Sequence, residues 1–467
     1  VVHGRYYDAG TRVILQGGRI VSMPGLASEP TVVKADFTID LQGKAVLPGL
    51  FNTHCHLLQL EPTMVLGLSD MRRIKRYKEQ QQAKNMAECL AHGITFVRDA
   101  WHPDLGENRA LKERILEGEL PGPRILQSVV VGPMGSYMQE KLSPVTKLLG
   151  FPQVDPAKNH AGAVAFPINA TEQQVRDAVD RAIDERGADA IKIGDQPFSF
   201  FANKPVPMMT IEQLCALADQ ARRRGVPSTM HHMTVESFRR GIKAGVSSLV
   251  HVPWDAPLTR KDVEAFKASG CLNEPTISVF YTFWSWKLAG TRSNDSPELD
   301  RLTAFRDRTY PFATIADEYY IPGLRPSVMN GYQRCAGGKP TMMGIVDMSG
   351  SLAWSEKTAT YFENLRLLAE NGVPMTTGND NKPPCTPAMM ALELQMMAHV
   401  LRVDPNRAPF SGADAVRIAT LNSARARGLE EQFGSIECGN SADLVILDGD
   451  PLEDFRAIGS RVAALFM

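Results

Sequence analysis

Apolar positions near the start of the chain come in short runs that fit strands. In "RVILQGGRIVSM" two such runs flank Gly17-Gly18, the signal of a tight hairpin. "TVVKADFTIDLQGKAVLPGL" continues in that style. From about residue 48 the texture changes to strands alternating with helices. "GITFVRDA" reads as a strand, with Gly93 ending the helix before it, and "RILQSVVVG" reads as another. "ATEQQVRDAVDRAIDERGADAIKIG" is a capped helix, a glycine stop, then a strand. "TIEQLCALADQARRRGVPSTMHHM" and "TVESFRRGIKAGVSSLVHV" repeat that plan. "CLNEPTISVF" is the seventh predicted strand, and "KTATYFENLRLLAENGVPMTTGND" gives a last helix and strand.

Strands alternating with amphipathic helices mean βαβ units and a parallel sheet. Eight strand candidates suit a (β/α)8 barrel over residues 49–425, with its main insertion near residues 285–350. The tail turns β-like again, with "ADLVILD" followed by "RVAALFM". The simplest layout sends residues 1–48 and 426–467 into one small β domain beside the barrel.

Composition narrows the function classes. The 467 residues carry 51 Lys+Arg against 52 Asp+Glu, a balance that points to neither nucleic acid nor an anionic membrane as partner. No apolar stretch approaches the ~20 residues of a spanning helix. Seven scattered cysteines without a CxxC read as reduced, mostly buried thiols, so a cytoplasmic setting is expected. The chain starts at Val1, which leaves open whether a leader preceded it.

"FNTHCHL" puts two histidines straight after an apolar run. Residues i and i+2 of a strand point the same way, so His54 and His56 share a face and Cys55 takes the other. Two imidazoles on one face can hold a divalent ion. His231 ends the fifth predicted strand and His251 the sixth, one helix apart, so they lie on neighbouring strands and could share a second ion. Asp380, after the last strand, supplies a hard anionic oxygen. Lys192, flanked by Ile191 and Ile193, would be buried, and burial lowers a lysine's pKa. A neutral amine can add CO2 to become a carbamate, an anion suited to bridging two cations. A lone histidine at a strand end is more often a hydrogen-bonded core residue. The case for metal is the recurrence of ligand types at the end of successive strands, where barrel enzymes place their chemistry. His232 alternates away from His231 and reads as packing.

Together "VLPGLFNTHCHL", "ADAIKIG", "MHHMT", "AGVSSLVHV", "TTGND" and "LNSARARGLEEQFGSIECGNSADLVILDGDPLEDF" resemble the amidohydrolase superfamily over nearly the whole chain. The likeness is greatest to its binuclear branch of dipeptidases and imidazolonepropionase-related hydrolases. The resemblance implies a distorted TIM barrel with a β-sandwich from both termini. It implies two divalent ions, expected to be zinc: His54, His56 and Asp380 on the first, His231 and His251 on the second, and carbamylated Lys192 between them. Asp380 would also take a proton from the water between the ions.

The implied reaction is hydrolysis of an amide-type C–N bond by hydroxide held between two cations, with Asp380 as general base and then general acid. Apolar residues predicted at the pocket rim, Phe198, Phe200, Phe201, Trp254, Tyr281, Phe283 and Trp284, point to a small-molecule substrate with apolar parts, with His102 bordering the same pocket. A dipeptide or N-acyl amino acid is the first expectation and a carbamate or urea the alternative. Arg98, Arg306, Arg308 and Arg334 are candidate carboxylate anchors. Met233 stands where dipeptidase relatives often carry an aromatic hydroxyl. Lys192 and "HHMT" argue against a deaminase, and the full set of ligand positions argues against a non-catalytic scaffold. A homo-oligomer is expected.

Overall fold

The computed structural model describes residues 12–23, 35–36, 38–57, 68–139, 161–198, 205–279, 312–336, 358–381, 385–401 and 410–467. The first runs form β1 (Ile14–Gln16) and β2 (Arg19–Ser22), antiparallel across Gly17 and Gly18. Both glycines sit at positive φ, which this two-residue turn requires. Next, β3 (Ala45–Pro48) pairs antiparallel with β12 (Leu444–Leu447), which also pairs with β13 (Ala464–Phe466). A bridge from Arg19 to Ser441 ties the hairpin to this sheet, and Ile20, Met23, Ile436, Ala442 and Leu444 pack between them. Segments near both ends of the chain therefore build one small β unit, as expected.

The barrel consists of β4 (Leu50–Cys55), β5 (Ile94–Asp99), β6 (Arg124–Pro133), β8 (Ala190–Gly194), β9 (Ser228–His231), β10 (Ser248–Val250) and β11 (Leu272–Glu274), parallel and adjacent in that order. An extra strand, β7 (Ala163–Phe166), pairs with the far half of β6. The predicted eighth strand is present as a hydrogen-bonded segment without regular strand geometry. On one side Asn273 N donates to Pro374 O at 3.0 Å and Thr376 N to Asn273 O at 2.9 Å. On the other, Thr53 N donates to Thr377 O and Asp380 N to His54 O, both at 2.7 Å. These bonds close the ring.

The helices between barrel strands are α1 (Leu68–Ala91), α2 (Leu105–Leu116), α3 (Glu172–Asp184), α4 (Ile211–Arg223), α5 (Val235–Ala244) and α6 (Arg260–Ser269). Thr171, Thr210 and Thr259 start three of them with reciprocal capping boxes. The predicted insertion contributes α7 (Phe312–Tyr319) and α8 (Arg325–Ala336), its remainder lying outside the described residues. Then come α9 (Thr358–Glu370), α10 (Met390–Leu401) and α11 (Gly412–Arg417). Gly93 ends the turn after α1 with φ +76°, and a Cβ there would lie 2.9 Å from Val445 Cγ1. That close approach seats the barrel against the terminal sheet. No helix among the described residues is long and apolar enough to cross a membrane.

Candidate metal centre

The strand ends bring together the residues singled out in the sequence. His54 lies in β4 and His56 just beyond it, and both Nε2 atoms face Asp380: His56 Nε2 is 2.8 Å and His54 Nε2 3.7 Å from Asp380 Oδ1. These three buried residues offer ligand atoms within 4.8 Å of one another. His251 Nε2 lies 4.0 Å from Asp380 Oδ2 and 3.0 Å from His231 Nδ1. All four imidazoles thus gather around one carboxylate.

The other ring nitrogens are engaged by the protein. His56 Nδ1 is 3.4 Å from Trp101 O. His231 Nε2 donates to Gln196 Oε1 at 2.7 Å, and His251 Nδ1 is 2.6 Å from Thr276 Oγ1. His54 Nδ1 sits 3.2 Å from Arg98 Nη2 and 3.7 Å from Glu274 Oε2. The result is a set of inward-facing nitrogens opposite a carboxylate, the donor set that a cation fits. Burial holds His54 and His231 well below the usual histidine range, and Lys192 adds to the effect at both. Neutral imidazoles are the form that ligates.

Backbone strain collects here. Among the described residues, five non-glycine positions have φ in the left-handed region, and His251 (+74°), Thr276 (+53°) and Asp380 (+37°) are three of them. Such conformations cost of order 1–3 kcal/mol each and persist where the surroundings over-determine them.

Lys192 lies mid-way along β8, 2% exposed, beside Thr229 of β9. Burial, with the Arg98 charge second, lowers its amine to about 7. Beneath the histidines the barrel holds an ion triad that sequence reasoning missed. Glu274 accepts from Arg98 Nη2 at 2.8 Å and from Arg427 Nη2, with Ser248 Oγ at 2.5 Å and Thr229 Oγ1 at 3.4 Å. All three charged side chains are fully buried. The available signal was a charge inside the apolar runs "GITFVRDA" and "CLNEPTISVF", the same argument that singled out Lys192.

Other expectations are redirected. Arg98, a candidate carboxylate anchor, is occupied by Glu274, Ser128 and the Thr53 carbonyl within the barrel. Arg306, Arg308, Phe200, Phe201, Tyr281, Phe283 and Trp284 lie outside the described residues. Trp254 is buried in the main core and Phe198 packs at its edge. His102 is buried after β5, near enough to His56 for their charges to interact, and accepts from Asp104 N at 3.1 Å. Two neighbours had no sequence signal. Tyr137 stacks on His231 with ring centres 4.5 Å apart, and a Cβ on Gly194 would come within 2.9 Å of it. Gln196 is held in the loop where Asp195 pairs with Arg240 through two hydrogen bonds.

The amidohydrolase family model matches residues 45–260 and 346–465. The chain belongs to the amidohydrolase family. Curated relatives of this amidohydrolase match only short stretches. A 5-methylthioadenosine/S-adenosylhomocysteine deaminase from Teredinibacter turnerae is 34% identical over 21% of this chain and 22% of its own. An imidazolonepropionase from Pseudomonas aeruginosa is 37% identical over 19% of this chain and 21% of its own. The matched stretches therefore span about a fifth of those relatives. Solved structures share the fold over nearly all of the chain. Molinate hydrolase superposes with a TM-score of 0.65 at 19% identity, covering 99% of this chain and 90% of its own. A prolidase complexed with N-methylphosphonate-L-proline gives 0.60 at 22% identity, covering 98% and 93%.

Proposed function

We propose that this amidohydrolase is a hydrolase of an amide-type C–N bond, dependent on two divalent ions. The observation that carries the reading is the convergence of four imidazoles on Asp380, each with its outer nitrogen already engaged. His54, His56 and Asp380 would hold the first ion, and His231 and His251 the second, zinc being suited to nitrogen-rich sites. Lys192, lowered to about 7, has the neutral amine that CO2 carbamylates, and its carbamate would complete both sites. When bound, such ions acidify water and polarise a carbonyl. Asp380 takes the proton from the attacking water and delivers it to the leaving nitrogen.

A dipeptide or N-acyl amino acid with apolar groups is the substrate class we favour. Carbamates and ureas form the second reading, since a phenylurea hydrolase shares the fold at a TM-score of 0.60. The test is a screen of dipeptides, N-acyl amino acids, ureas and carbamates with zinc-reconstituted protein, reading released amine, with Asp380→Asn as control. Elemental analysis should find two metals per chain. Fewer after reconstitution, or turnover by the Asn variant near the parent's, would overturn the reading.

A further inference from the structure

Two short hydrogen-bond relays run outward from the second histidine pair, and each ends on a backbone carbonyl. From His231 Nε2 the first passes to Gln196 Oε1 at 2.7 Å, and Gln196 Nε2 donates to Phe198 O at 2.7 Å. From His251 Nδ1 the second passes to Thr276 Oγ1 at 2.6 Å, whose hydroxyl donates to Pro275 O at 2.7 Å. A carbonyl only accepts, so the direction of the Gln196 relay is fixed from its far end. Gln196 must turn its amide nitrogen to Phe198 and its oxygen to His231. With its one hydroxyl proton on Pro275 O, Thr276 leaves an oxygen able to accept from His251 Nδ1.

This polarity places the His231 proton on Nε2 and leaves Nδ1 as the acceptor. His231 Nδ1 and His251 Nε2 lie 3.0 Å apart, and both rings are buried. Without an ion His251 Nε2–H can donate to His231 Nδ1. With one, both nitrogens offer lone pairs to it once the His251 proton sits on Nδ1, where the Thr276 oxygen accepts it.

We infer that Gln196 and Thr276 are positioning residues for the second site: Gln196 holds His231 in its metal-binding tautomer, and Thr276 accepts the His251 proton at Nδ1 when an ion takes Nε2. The inference rests on the two-ion reading above. Gln196 is well placed for this. It is 1% exposed, and the Asp195–Arg240 pair, with Arg240 also donating to Met209 O at 2.7 Å, braces its loop independently of His231. Thr276 is held at φ +53°, a conformation that a β-branched residue rarely adopts, which aims its hydroxyl at the ring.

The experiment measures zinc affinity by chelator competition, and metal per chain after dialysis, in the parent, Gln196→Met, Gln196→Glu, Thr276→Val and Thr276→Ser. Met and Val keep volume but cannot accept a hydrogen bond, whereas Glu and Ser can. Loss of an outer partner typically costs 10–100-fold in metal affinity. The weaker of the two zinc sites should fall by that factor in the Met and Val variants and by less than threefold in Glu and Ser. The cobalt-loaded visible spectrum should change in step. Thermal midpoints of the metal-free forms should stay together, which separates tautomer choice from a folding defect. Two tight zinc ions in Gln196→Met or Thr276→Val, or equal loss in the Met and Glu variants, would overturn the inference while the two-ion reading stands. Fewer than two ions in the parent would overturn both.

Discussion

Replacing Glu274 with glutamine keeps its shape and removes its charge, leaving two buried guanidiniums with no anion between them. Glu274 and both arginines are fully buried, so solvent offers little relief. At an effective dielectric of about 20, a charge pair at the 2.8 Å separation of Arg98 Nη2 and Glu274 Oε2 is worth ~6 kcal/mol. Glu274 makes two such pairs, while the neutral amide is spared the several kcal/mol that burying a carboxylate costs. Breaking a buried pair by removing one partner typically costs a net ~3–5 kcal/mol, and Glu274→Gln should fall in that range. Adding Arg427→Met removes one stranded cation and should recover about 1–2 kcal/mol, a positive coupling between contacting sites. Arg427 is the right cation to remove, because burial already lowers it to about 10. The assay is urea denaturation of the metal-free proteins at pH 7, comparing midpoints at constant slope. A loss below about 1 kcal/mol in Glu274→Gln, or strict additivity in the double variant, would refute the reasoning.

Burial lowers His102 to about 3 against a free value of 6.5, so the unfolded chain takes up a proton that the folded chain refuses. Its contribution is intact above pH 6.5 and is lost as pH falls toward 3, at up to ~1.4 kcal/mol per pH unit; His102→Asn should flatten the stability profile there by that slope. Gly378→Ala would push a Cβ to 2.6 Å from His54 Cβ and 2.8 Å from its backbone nitrogen, which cannot move without opening the barrel. We expect a loss of ~1–3 kcal/mol in urea melts together with weaker metal retention; an unchanged melt would contradict the packing. Lys192→Ala should lose activity and most of one metal, with partial return of activity when a short carboxylic acid and zinc are supplied. Mass spectrometry showing an unmodified Lys192 in a fully loaded, active enzyme would rule out the carbamate.

Period and punctuation made the fold legible. Capped amphipathic helices announced themselves through Thr171, Thr210, Thr234 and Thr259, and the strands through apolar runs buried on both faces. The segment 374–380 was legible as the last strand even though it lacks regular strand geometry, because "VPMTTGND" keeps the apolar run and terminal aspartate. Histidine spacing at strand ends gave the cluster. Gln196, Thr276 and Tyr137 were invisible because their roles depend on which loop reaches over which ring, and a polar residue after a strand carries no signal of that. Arg427 was equally hidden: it lies far along the chain from Glu274, and only the folded barrel brings them together.

The closure of the barrel has a further consequence. Its seam joins residues 50–56 to residues 374–381, and the same residues carry His54, His56 and Asp380. Asn381 strengthens the seam: its Oδ1 accepts from His56 N at 2.8 Å and its Nδ2 donates to His56 O at 3.1 Å, across 325 positions of sequence. An ion on these ligands would therefore act as a clasp on a ring that the chain can close only after most of it has been made. Closing so long a loop is entropically late, and a late clasp gains most from a ligand that binds only the closed form. At a hundredfold excess over its Kd such an ion adds about 2.7 kcal/mol against any opening that parts the first and last strands. Metal supply would then govern how long the ring stays shut as well as whether it reacts. Starvation for metal should show first as hydrogen exchange and proteolysis at the seam, before the rest of the barrel loosens.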